Sequence, residues 1–154
     1  MKKELCFIID GQELYLEKVL VDYMEVPIFF LCKAGEKYYI ALCIDMDEYN
    51  YVVVQMTMQD TYDLLHGKIP MRDVILGRKE YWLVCSGDEP KDDKVEKQEI
   101  GRLQVELLPK TGACFQILTE DMKKYVQAFD EYYFLKVGTA SINELRDYLM
   151  EEEY

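Results

Sequence analysis

Histidine is the usual proton-transfer residue near neutral pH, and this chain contains one, His66. It precedes Gly67 at the end of an expected helix, where a histidine commonly serves the helix terminus rather than a reaction. A nucleophile and a base must lie within hydrogen-bond reach of one another. Cys114 is the nucleophile a His66 dyad would use, but no spacing in the sequence joins the two. Asp45, Asp47 and Glu48 fall in one expected turn, yet a calcium loop needs five or more regularly spaced oxygen ligands with a central Gly and a distal Glu. Asp92, Asp93, Lys94, Glu96 and Lys97 resemble the carboxylate and lysine set of a nuclease, but they sit in an expected loop instead of on core strands. No GxGxxG or GxxxxGK[ST] run is present to cradle phosphate. Arg72 is the candidate for gripping an anion, in competition with a local ion pair to Asp73. These observations assign no catalytic residue, metal or cofactor.

Tyrosine is the compositional outlier, with 13 copies. Many must serve cross-strand pairing and helix packing, because Tyr combines a large apolar body with a polar tip. Neighbouring side chains on a strand face opposite sides. One ring of the Tyr38 and Tyr39 pair should therefore point outward, and exposed Tyr is enriched in protein interfaces.

The chain has 154 residues, 18 Lys and Arg against 30 Asp and Glu, and a formal net charge of −12. Its length suits one domain spanning 1–154, able to bury roughly 68–70% of its unfolded surface. The negative charge disfavours binding to nucleic acid or to anionic lipid and favours a basic partner surface. Five scattered cysteines, Cys6, Cys32, Cys43, Cys85 and Cys114, form no CxxC pair and suit a reducing, cytoplasmic setting. Cys32 and Cys43 flank an expected hairpin and are the one pair placed to face each other across it. Lys2, Lys3 and the apolar run Leu5 to Ile9 imitate a signal peptide, but Asp10 and Gly11 close that run too early. The next apolar stretch, Val26 to Cys32, contains Pro27 and falls well short of the roughly 20 residues needed to cross a bilayer.

The elements that must position these residues read as an α+β fold: an antiparallel β-meander with two or three amphipathic helices on one face. Leu14 to Met24 suits a strand, although Leu16, Val19, Leu20 and Tyr23 also match a helical period. Ile28 to Lys33 and Lys37 to Ile44 flank Ala34, Gly35 and Glu36 as a hairpin, and Tyr51 to Met56 follows as the next strand. Thr57 and Asp60 mark a helix start, Gly67 its end, and Pro70 opens a short helix over Met71 to Leu76. Tyr81 to Cys85, Leu103 to Leu108 and Ala113 to Leu118 read as strands. The polar run 87–99 lacks apolar anchors and reads as a mobile acidic loop. Thr119 to Asp121 begin a helix whose stripe is Met122, Tyr125, Val126, Phe129, Tyr132 and Tyr133. Ser141 and Glu144 form a capping box for a C-terminal helix and tail within 139–154. There Glu151, Glu152 and Glu153 oppose the helix dipole unless a cationic partner binds.

Three segments, Pro27-Ile28-Phe29-Phe30, Tyr38-Tyr39-Ile40-Ala41 and Gly67-Lys68-Ile69-Pro70-Met71-Arg72-Asp73, resemble the PxxF, YY-x-A and xIxxRD progression of an uncharacterised bacterial protein family, a domain of unknown function. The resemblance spans about the first half of the chain. It implies a bacterial or phage source and carries no activity with it.

The functional expectation is a non-catalytic protein-binding module of the immunity, antitoxin or defence-inhibitor type, meeting a basic partner. Its contact residues would be Tyr38, Tyr39, Arg72, Glu151, Glu152 and Glu153, and a homo-oligomer is compatible with it. The alternative is a regulatory domain holding a small ligand between sheet and helix near Arg72 and His66.

Overall fold

β-branched and aromatic residues dominate the first third of the chain, and this composition forms five consecutive strands. In the computed structural model, which describes residues 4–137, these are β1 (Leu5–Ile9), β2 (Gln12–Tyr23), β3 (Val26–Ala34), β4 (Lys37–Asp45) and β5 (Asn50–Met56). Helices α1 (Met58–Leu65) and α2 (Met71–Leu76) follow, then β6 (Glu80–Cys85), β7 (Lys94–Glu99) and α3 (Glu120–Val137). The strands form one seven-stranded antiparallel sheet in chain order, joined mainly by hairpins. Fold class and meander are as the sequence predicts.

Local chemistry explains the joints. Gly35, at φ +62, leads a two-residue turn between the paired Ala34 and Lys37, one residue shorter than the expected loop. The turn between β2 and β3 is less comfortable, because Met24 and Glu25 both have positive φ, 50° and 67°, with no glycine to relieve them. Thr57 caps α1 through a capping box: its hydroxyl accepts from the Asp60 N–H at 3.0 Å, and the Asp60 carboxylate accepts from the Thr57 N–H at 3.3 Å. Pro70 supplies the preset φ of −58° that opens α2.

Alternation along the central strands sends apolar side chains to both sheet faces. Leu31, Ile40, Val52 and Val54 meet Leu64, Leu65, Ile75, Val126 and Phe129 of the three helices. On the opposite face Phe7, Leu14, Phe30, Tyr39, Val53 and Trp82 form a second core, and no helix of the described residues contributes to it. The sheet covers that face by curling, and β1 comes against the 3-10 turn at Pro90–Asp92. Register irregularities between β1 and β2 and along β2 and β3 supply the local bend.

Double-sided burial corrects the tyrosine expectation. Tyr38 is 4% exposed and Tyr39 3%, so neither ring points to solvent. Tyr38 packs edge-on against Phe129 on the helix side, and Tyr39 against Trp82 on the curled side. The prediction assumed one wet face, which a curled sheet lacks.

Other expectations also change. Part of the supposed loop 87–99 is β7, hydrogen-bonded to β6 from Glu80↔Glu99 to Cys85↔Lys94. Its charged sequence is that of an outer strand, where Lys and Glu discourage pairing with further chains. Neither Leu103 to Leu108 nor Ala113 to Leu118 is a strand. That region holds 3-10 turns at Ile100–Arg102 and Val105–Leu107 and an irregular connection, with Leu103, Leu108 and Phe115 inserted into the helix-side core. Cys32 lies opposite Tyr39 and Cys43 opposite Tyr51, so the hairpin does not face them together, and both thiols are free. The capping box at Ser141 and the carboxylates Glu151, Glu152 and Glu153 lie outside the described residues. Among the described residues no helix is long and apolar enough to cross a membrane.

Candidate functional site

Side chains on one face of adjacent strands converge where a curled sheet opens. The second core ends in such a mouth, a cleft of about 590 Å³ lined by the β1–β2 turn, the start of β4, the end of β5, the approach to β6, and β7. Tyr39 and Trp82 form its floor, and Asp10, Gln12, Lys37, Gln55, Arg78, Lys79, Glu80 and Lys97 form its polar walls. Register explains the convergence: Tyr39 pairs with Gln55, and Trp82 pairs with Val53 on one side and Lys97 on the other. Lys37 stands two residues before Tyr39 and Glu80 two before Trp82, so alternation returns both to this face.

Four cations against two carboxylates line this cleft, on a chain whose overall charge is −12. Arg78 is held by Asp60, 2.8 Å away, so the capping carboxylate of α1 also positions a guanidinium at the cleft. Lys97 lies over the Trp82 ring, 5.5 Å from its centroid, with Glu80 at 3.7 Å. Among the described residues Lys37 and Lys79 have no carboxylate within ion-pair distance. The Tyr39 hydroxyl donates to Gln12 Oε1 at 3.0 Å, and burial, then the Asp10 charge, push its phenol pKa up. Trp82 is 8% exposed, and its indole N–H is buried without an acceptor among the described residues. An unmet donor of that kind costs about 1–3 kcal/mol.

The residues singled out from sequence are placed elsewhere. Arg72 donates from Nε to the Pro109 carbonyl at 2.8 Å and from a terminal nitrogen to the Val105 carbonyl at 3.0 Å. It pins the irregular connection, whose carbonyls, lacking a ladder, need donors. His66 Nε2 lies 2.8 and 2.9 Å from the two oxygens of Asp130, whose side chain is fully buried, and its ring packs on Tyr62. This pair clasps the end of α1 to α3. Gly67, at φ +65, lets the chain pass close to Phe115, where an added side-chain carbon would lie 3.1 Å from the Phe115 carbonyl and 3.8 Å from Cys114 Cβ. His66 and Cys114 thus lie on neighbouring segments, but the Cys114 thiol is directed at the Gly112 carbonyl, 3.7 Å away. Asp45 accepts the backbone N–H groups of Asp47 and Glu48 at 3.0 and 3.2 Å, which makes this cluster a turn. Asp93 similarly accepts from the Gly87 N–H at 2.8 Å.

The tyrosines act as tethers between elements. Tyr125 reaches Glu17 at 3.1 Å, Tyr132 reaches Glu36 at 3.3 Å, and Tyr133 reaches Gln59 at 2.5 Å. Each binds α3 to another element by a polar tip on an apolar body. Burial, followed by the Glu17 charge, pushes the Tyr125 phenol well above its usual range.

The cleft escapes sequence reading because Lys37, Arg78, Lys79 and Lys97 span sixty positions, and only the register of β4 to β7 assembles them. No family model matches the chain, and neither a curated protein nor a solved structure matches it.

Proposed function

We propose that this chain is a small-ligand-binding domain whose recognition site is the cleft at the mouth of the curled sheet, and that its ligand is an anion. The observation that carries this reading is the convergence of Lys37, Arg78, Lys79 and Lys97 on a strongly acidic protein. Local potential, not net charge, decides what enters a cleft, and ligand sites favour the mouths of curled sheets. An apolar floor with amide and phenol groups above it offers orientation as well as charge. A thermal-shift screen of anionic, neutral and cationic small molecules tests the reading. A ligand at a hundred times its Kd stabilises by about 2.7 kcal/mol, which raises the Tm by about 5–10 °C for a chain of this size. Anions alone should do so, and Lys37→Glu/Lys79→Glu should abolish the shift. If no anion raises Tm, or if the double variant responds like the parent, the reading fails.

A second reading, the protein-binding module, is favoured by a different surface. Met24 and Leu118 are 80% and 82% exposed, and Leu118 rims a groove of about 460 Å³ with Leu20, Met71 and Met122 beneath it. Such a module acting as an inhibitor of a basic partner would lose that partner on Met24→Asp/Leu118→Asp while the anion response stays intact.

A further inference from the structure

Resting on the anion-cleft reading, we infer that the group bound there is a phosphoryl group on a small molecule, in preference to a carboxylate. The donor set makes the distinction. A carboxylate is planar and is best met by the two parallel N–H bonds of one guanidinium. The one guanidinium lining the cleft, Arg78, already has a terminal nitrogen committed to Asp60 at 2.8 Å. The remaining cations are three lysines from three places: the start of β4 (Lys37), the connection ahead of β6 (Lys79) and β7 (Lys97). Ammonium groups are point charges with rotatable donors, suited to a tetrahedral anion that offers oxygens in several directions. With Arg78 paired to Asp60 and Lys97 to Glu80, Lys37 and Lys79 outnumber the one remaining carboxylate of the lining, Asp10, so the cleft keeps a net positive charge for an anion.

Trp82 is a second, independent pointer. Its side chain is more than nine-tenths buried in the cleft floor with an indole N–H that lacks an acceptor. Lys97, which lies over the ring, is 47% exposed and only loosely engaged by Glu80. A phosphoryl group that draws Lys97 off the ring changes the surroundings of Trp82, which makes the indole sensitive to occupancy of the cleft. The volume of about 590 Å³ accommodates a phosphorylated metabolite.

Trp82 is the sole tryptophan of the chain and reports directly on the site. Its fluorescence should be followed during titration with inorganic phosphate, inorganic pyrophosphate, a hexose monophosphate and a nucleoside diphosphate, with malonate and citrate as carboxylates of comparable charge. The expected result is saturable change with the phosphoryl probes, at least tenfold tighter than with the carboxylates. Affinity for the hexose monophosphate should rise between about pH 5.5 and 7.5, as its second ionisation near pH 6 completes the dianion, and Lys37→Gln/Lys79→Gln should weaken binding at least tenfold. The inorganic and organic arms show whether the phosphoryl group alone suffices. Carboxylates binding as tightly as phosphates would overturn this inference and leave the anion cleft standing. Absence of response to every anion, in fluorescence and in calorimetry, would overturn both.

Discussion

Asp60 performs two tasks whose separation tests how the cleft is built. Its carboxylate closes the capping box of α1 and holds Arg78 at 2.8 Å, with the two side chains 29% and 32% exposed. Asp60→Asn keeps an oxygen for the Thr57 N–H but removes the charge. A half-exposed ion pair, discounted for solvent screening, is worth about 0.2–1 kcal/mol, and an acidic residue in a first helical turn about 0.3–1 kcal/mol. Stability should therefore fall by about 0.5–2 kcal/mol, lowering Tm by about 1–8 °C. Anion affinity should move the other way. The Asp60 carboxylate, beside the cleft through Arg78, repels a bound dianion, so its removal, which also frees the guanidinium, should tighten pyrophosphate binding, a gain of about 1 kcal/mol reading as about fivefold. Differential scanning fluorimetry reads the first effect and isothermal titration calorimetry the second. A variant that loses stability while its pyrophosphate affinity is unchanged or weakened would refute the reasoning that the Asp60 charge opposes an anion in the cleft.

Three further outcomes follow from the packing. Glu25→Gly should stabilise by about 0.5–1 kcal/mol, because the left-handed backbone at φ 67° costs a side chain about 1–2 kcal/mol and glycine's extra chain entropy returns only part of that; urea unfolding that shows destabilisation would contradict it. His66→Ala should cost about 1.5–3 kcal/mol, the range of a hydrogen bond to a charged group, since the imidazole lies within hydrogen-bond distance of both oxygens of a fully buried carboxylate, and a loss below 1 kcal/mol in the same assay would deny the clasp a structural role. Lys136, 3.1 Å away, holds the Glu36 carboxyl below its usual range, first through the hydrogen bond and then through charge. The folded state then gains from this contact above the unfolded carboxylate range and loses it as pH falls through the depressed value; Lys136→Met should raise the Glu36 midpoint in an NMR titration, and an unmoved midpoint would refute the pairing.

Much of the architecture was legible because it rests on local chemistry. The pair Thr57 and Asp60, the proline at position 70, the glycine at 35 and the stripe from Met122 to Tyr133 each act within a few residues, and each stands where the pattern indicates. β7 was not legible, because an outer strand paired on one side alternates weakly: in Lys94–Glu99 only Val95 and Gln98 are partly buried. The exposure of Tyr38 or Tyr39 was misjudged for a tertiary reason, the curl that closes the second face. Arg72 and His66 were visible as unusual side chains, but their partners Pro109, Val105 and Asp130 lie 33 to 64 residues away. The cleft has the same character. Its nearest trace in the sequence is the Arg78-Lys79 pair directly ahead of a strand that carries the only tryptophan.

On the proposed reading, Lys37 and Lys79 make the mouth of the curled sheet an anion site. Calorimetric titration of pyrophosphate into the parent chain and into Lys37→Glu/Lys79→Glu, at low and at physiological salt, tests it most directly. The parent should show saturable binding that weakens with salt, and the double variant should lose that binding with its Tm unchanged within about 2 °C, since both side chains are exposed and unpaired among the described residues. Equal affinity for the two proteins would contradict it.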